Sequence, residues 1–159
     1  MARKGETGQA IREYEMAVNL NPDDVWATSR LAELLATATD RRLRNGPRAV
    51  ALAHRAASAV SFGSARVLDV LATAYAAAGD YDRTARYERD AIRLASVPGH
   101  DAQRKSAHIG GADPAGEELT AEEMARRLRT YESGRPEKDP ARNAVPGETG
   151  TSEREVTKT

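Results

Sequence analysis

"LATAYAAAGDYDRTARYERDAIRLA", residues 71–95, decides how this chain folds. Leu68, Leu71, Ala72 and Tyr75 recur at three- and four-residue steps, which places them on one face of a helix. Gly79 then stops that helix, because glycine takes the left-handed C′ conformation at little steric cost. Asp80 follows as an N-cap whose carboxylate can accept orphan amide hydrogens. The second helix carries Thr84, Ala91, Ile92 and Leu94. A turn this short forces the two helices antiparallel, and small residues at Ala72, Thr84 and Ala91 let the backbones approach. The stretch predicts a helical hairpin with no reactive group in it.

Composition agrees with a helical chain and removes several functions. The 159 residues set one domain, with room for a tail, as the expectation. Lys+Arg and Asp+Glu both number 24, so the formal charge is zero. A general electrostatic grip on nucleic acid or an anionic membrane needs a basic surplus that is missing here. With no cysteine, disulfides and thiolate metal sites are excluded. "MARKGETGQA" has no apolar stretch after its basic residues, so it is not a secretory signal, and no run approaches the ~20 apolar residues of a membrane span. A cytoplasmic location is expected. Aromatics make up 4% of the chain. An Ala- and Leu-rich core suits close-packed helices better than a sheet.

The hairpin recurs along the chain. "GETGQAIREYEMAVNLNPDD" (5–24) places Gly5, Ala10, Tyr14, Ala17, Leu20 and Pro22 in order. "RLAELLAT" (30–37) matches "VLATAYAA" (70–77), with Leu31 over Leu71, Ala32 over Ala72 and Leu35 over Tyr75. "GPRAVALAHRA" (46–56) is a second helix, with Ala49, Ala53 and Ala56 where the first copy has Ala10, Tyr14 and Ala17. The pattern resembles the tetratricopeptide repeat family, whose unit of about 34 residues is a helical hairpin. The resemblance covers residues 5–95, about two and a half repeats. The spacing from Ala17 to Ala56 exceeds that from Ala56 to Ala91, and the excess lies in "TATDRRLRN", a longer turn. Three features depart from the family: Trp26 comes early in its helix, Glu88 holds a large apolar position, and Pro98 comes too late.

The resemblance implies an all-α stack of antiparallel hairpins, an α-solenoid, that binds a protein or peptide on a concave face. By helical spacing that face carries Trp26, Ser29, Glu33 and Thr37, then Arg66, Asp69, Thr73 and Ala76. One subgroup of the family clamps C-terminal carboxylates with Lys and Asn, and the residues here differ, so no such clamp is expected. The first recognisable helix, about 7–20, matches the second half of a hairpin. Ile11, Tyr14, Ala17 and Val18 are therefore expected to lack their usual partner, with self-association or fraying through 7–20 as the consequence. Two function classes stay open. One is a non-catalytic interaction module or scaffold. The other is the C-terminal end of a larger repeat protein whose activity, for example a membrane-anchored enzyme domain, lies upstream.

Beyond the repeats the character changes. Residues 96–118, rich in Gly, Pro, Ser and charge, read as a flexible linker. Residues 119–134 restart a helix: Thr120 and Glu123 form a capping box, Leu119 can staple onto Met124, and Met124, Leu128 and Tyr131 make an apolar stripe before Gly134. That helix is expected to cap the last hairpin over Ile92. Residues 135–159 lack apolar periodicity and read as a disordered tail.

No catalytic set emerges. His54 sits beside Arg55 on a helix, and His100 and His108 lie in the linker, without the converging partners a metal needs. Ser58, Ser61 and Ser64 have no histidine–acid arrangement, and "HIGGADPAG" does not fit a phosphate loop. Glu122 and Glu123 are first-turn acids explained by the helix dipole. No enzyme activity, cofactor or metal is expected. Arg41, Arg42, Arg44 and Arg48 crowd the inserted turn. They can hold a phosphate or an acidic tail through charge-assisted bonds, or they can be a solvated turn in which Asn45 or Gly46 caps the helix that Pro47 begins.

Overall fold

The computed structural model describes residues 4–97 and 120–133. Among them are six α-helices and no strand: α1 (Lys4–Leu20), α2 (Val25–Thr37), α3 (Gly46–Ala59), α4 (Ala65–Ala77), α5 (Tyr81–Ala95) and α6 (Ala121–Ser133). Each start from α2 onward has a side-chain cap. Asp24 accepts from the Ala27 amide at 2.9 Å, Asn45 from Arg48 at 3.0 Å, Ser64 from Val67 at 3.4 Å and Asp80 from Arg83 at 3.0 Å. Thr120 and Glu123 exchange bonds as a reciprocal capping box. Gly79, at φ 81°, ends α4: its amide reaches Ala76 O and the Asp80 amide reaches Tyr75 O. Those two bonds satisfy carbonyls the helix would otherwise leave open.

Neighbouring helices pack in series, α1 on α2, α2 on α3, α3 on α4, α4 on α5 and α5 on α6, and α2 also lies against α4. The core is mostly small. Ala27, Ala32, Ala49, Ala53, Ala57, Ala72, Ala74 and Ala91 are fully buried, around Leu31, Leu35, Leu68 and Leu71. Small side chains bring helix backbones together, and one close approach is at Gly46. A Cβ there would stand 2.7 Å from Ala77 O, so only glycine fits at the start of α3.

The first helix differs from expectation. Ile11 and Val18 are only 7% and 8% exposed, and both belong to the core. Tyr14 is half-buried against Trp26, edge to face at 5.3 Å. The reason lies partly in the inserted turn. Asp40 folds it by accepting from the Arg42 amide, and Leu43 reaches over Gly8 and packs on the core. Arg48 of α3 also pairs with Glu15 at 2.6 Å. The large apolar side chains that α1 leaves in water are Met16 and Leu20, 59% and 88% exposed.

The restarted helix of residues 119–134 appears as α6 and docks on α5. Met124 is its buried anchor, with Leu128 half-buried beside it. Of the 96–118 linker only Ser96 and Val97 are described. The rest of it, with His100 and His108, and the 135–159 tail lie outside the described residues.

Candidate functional site

The residues expected on the interaction face come from α2 and α4, which lie side by side. Successive turns of α2 carry Trp26, Ser29, Glu33 and Thr37 on one stripe. Glu33 is the junction of the two helices. It accepts from Arg30 of its own helix at 2.7 Å and lies 3.4 Å from Arg66 of α4. Both arginines are half-buried, so this three-member network is less screened than a surface pair. Ser29 is buried, and neither its hydroxyl nor the Trp26 indole N–H has a hydrogen-bond partner. Thr37 turns its hydroxyl back to Glu33 O at 2.8 Å and is exposed.

Beyond Arg66, the α4 half of the same face is covered. Asp69 is buried and forms an ion pair with Arg127 of α6. Thr73 lies against Tyr131, one turn further along α6. Arg127 also donates from Nε and Nη2 to Glu88 Oε1 of α5, at 3.3 and 3.2 Å. Glu88 is 0% exposed, and its Oε2 has no hydrogen-bond partner. Burial holds its carboxyl up at about 7 from an ordinary 4.5. Burial likewise lowers Arg127 and raises Tyr131. The result is two buried carboxylates sharing one guanidinium.

Glu88, Arg127 and Tyr131 were not among the residues expected on this face. A signal for the pair was present. Glu88 stands where the pattern has a large apolar residue. Counted from the N-caps, Asp24–Thr28–Leu31–Leu35, Ser64–Leu68–Leu71–Tyr75 and Thr120–Met124–Arg127–Tyr131 share one spacing, and Arg127 holds the place of a leucine. Two polar residues in facing apolar positions are what a buried ion pair looks like in sequence.

The inserted turn does not gather its four arginines into one set. Arg41, Arg42 and Arg44 are exposed, whereas Arg48 is engaged by Glu15. A separate cleft of about 380 Å³ lies between the α3–α4 turn and α5, lined by Phe62, Leu68, Arg86, Tyr87, Asp90, Arg93 and Leu94. Phe62 and Ser61 both have left-handed backbone, at φ 56° and 49°, a strained state for side-chain-bearing residues. Phe62 stacks toward Tyr87, which stacks on Tyr75. Asp90 holds Arg93 at 3.1 Å, so the charges lining the cleft largely answer one another.

Among the described residues no three His, Asp or Glu side chains converge as a metal site requires, and no helix is long and apolar enough to cross a membrane. Compared with family models, with curated proteins and with solved structures, the chain matches none.

Proposed function

We propose that the chain is a non-catalytic interaction module of the tetratricopeptide type, holding a peptide or protein segment on the face built by α2 and α4. The observation that carries this is the Arg30–Glu33–Arg66 network beside Trp26. It puts charge, hydrogen-bond donors and an aromatic ring on one surface that spans two packed helices. Interfaces draw their energy from such aromatic and arginine anchors more than from area. The equal spacing of caps and core residues in α2, α4 and α6 supports the solenoid assignment, in which equivalent helices line one side. The zero net charge favours a protein over a nucleic acid.

Peptides selected from a random display library on the full chain test this. They should compete with one another and lose at least tenfold in affinity to Trp26→Ala and to Glu33→Lys. Substituting Arg41, Arg42 and Arg44 by Ser should leave them unchanged. Selected peptides that ignore Trp26 and Glu33 would place the site elsewhere. A second reading, the terminal segment of a longer repeat array with its activity upstream, is favoured by one observation, the exposed Met16 and Leu20 on α1.

A further inference from the structure

The last helix is fixed differently from the others. At the α3–α4 junction, Ala53 lies as far after its N-cap Asn45 as Glu88 lies after Asp80, Leu71 shares the register of Arg127, and Ala53 and Leu71 are both fully buried. The fold therefore accepts an apolar pair at this place. At the α5–α6 junction it carries a charged plug. Only Met124 of α6 is fully sequestered; Arg127, Leu128 and Tyr131 are half-buried. The pocket that receives Arg127 holds two carboxylates, Asp69 and Glu88, and one oxygen of Glu88 stays without a partner. Its geometry suits a guanidinium. Nε and Nη2 both reach Glu88 while Nη2 also meets Asp69, a fork that the point charge of lysine does not reproduce.

We infer that α6 is a displaceable lid over the α4 end of the interaction face, and that the Asp69–Glu88 pocket beneath it accepts the arginine of an amphipathic helix from a protein partner. The lid covers Asp69 and Thr73, two of the residues expected to meet a ligand, so closing it narrows the face to its α2 side and Arg66. The occupant is specified by what fills the pocket now: an arginine, with an apolar residue one turn before it and an aromatic one turn after, as in Met124, Arg127 and Tyr131. This rests on the proposal that the α2–α4 face is an interaction surface. A buried ion pair is a weak stabiliser compared with well-packed apolar side chains, which suits a contact that must open.

The test uses the full chain in three forms: wild type, Arg127→Gln, and the double variant Glu88→Ala with Arg127→Leu, which copies the Ala53–Leu71 pair. Hydrogen exchange reads the lid. A labelled peptide with the sequence of residues 118–134 is the binding probe, alongside the same peptide with Arg127→Lys. In Arg127→Gln, amides of 121–133 should exchange at least tenfold faster while those of 81–95 stay protected. The probe should bind that variant at least tenfold tighter than wild type, bind the double variant not at all, and lose tenfold when its arginine becomes lysine. If Arg127→Gln fails to fold, wild type against the double variant still decides: the probe should speed α6 exchange in the first and not the second.

Exchange of α6 together with α4 and α5 as one unit in every form would make it an integral part of the core and overturn the lid. Failure of the probe to bind a chain whose α6 is open would overturn the arginine pocket. A dimer formed by exchange of α6 between chains would make the occupant a second copy, and overturn the partner. None of these outcomes touches peptides anchored on Trp26 and Glu33. Conversely, loss of those peptides with the lid and probe intact would remove the interaction face and leave the pocket.

Discussion

The two junctions on either side of the α4–α5 hairpin solve one packing problem with opposite chemistry. At α3–α4, Ala53 and Leu71 meet the core with no polar atom to satisfy. At α5–α6, Glu88 and Arg127 occupy the matching places as an ion pair, and Asp69 adds a second buried carboxylate. The first arrangement draws on the hydrophobic effect, which grows with area removed from water. The second must offset the desolvation of charged groups before it gains anything. Equal places in the helix register thus carry unequal binding energy, and the molecule is expected to be firm at α3–α4 and soft at α6.

The most damaging way to probe this contrast is at its apolar end. Leu71→Ala should cost about 2–5 kcal/mol, the usual loss for a buried leucine whose cavity does not fully collapse. Because α4 packs on α2, α3 and α5, the loss should appear as a lower midpoint of global unfolding in urea. Met124→Ala removes a buried side chain of similar size from α6. Its effect should be confined to faster exchange of 121–133, with the global midpoint nearly unchanged. Equal shifts of the global midpoint by the two variants would erase the distinction between the junctions.

Acidity sharpens the comparison with a smaller effect. Glu88 faces Asp69 from α4 and Arg127 and Tyr131 from α6, with Glu33 of α2 acting through Arg127. Burial raises Glu88 to about 7 from 4.5. A raised carboxyl means the closed form binds more protons than the open one. Its contribution is therefore complete below the unfolded value, where a neutral Glu88 leaves Asp69 as the counter-ion of Arg127, and is lost as pH rises through about 7. Docking of α6 should weaken by at most about tenfold per pH unit across that window. Exchange of 121–133, corrected for intrinsic rates, should accelerate from pH 5 to pH 8 relative to 65–77. The double variant Glu88→Ala, Arg127→Leu should show no such pH dependence. A wild-type α6 indifferent to pH would mean that Arg127 holds Glu88 ionised throughout.

How much of this was legible in the sequence follows from the same physics. The helices read clearly because caps and periodicity are local: Gly79 with Asp80, and Thr120 with Glu123, lie where the backbone needs them. The proposed interaction face was legible only as a stripe. Helical spacing puts Glu33 and Arg66 toward one side, but their meeting depends on how α2 and α4 pack. Cover is a matter of tertiary structure too. Leu43 lies in a turn whose composition reads as solvated, yet it shields α1 at Gly8. Arg127 sits among polar neighbours on an apparently narrow apolar stripe, and only the register shared with Leu31 and Leu71 marks it as inward. A single charged residue in an apolar register looks like noise until its partner is found on another helix.

The mildest perturbation separates the buried plug from the charge at its rim. Arg89 and Glu132 also link α5 to α6, but their side chains are 55% and 40% exposed. Such a pair gains little, because water screens it and two long side chains must be held still; exposed pairs measure about 0–1 kcal/mol. Glu132→Gln should therefore change α6 exchange by less than about fivefold, the factor that 1 kcal/mol represents. It should fade further in 0.5 M salt, where exposed charges are screened over a few ångströms. Arg127→Gln acts on the contacts to Glu88 and Asp69, carboxyls that water barely reaches, so its larger effect should persist in the same salt. If Glu132→Gln opened α6 as far as Arg127→Gln does, the helix would be held by its rim. The contrast between an apolar junction and a buried charged one would then have no bearing on how α6 is held.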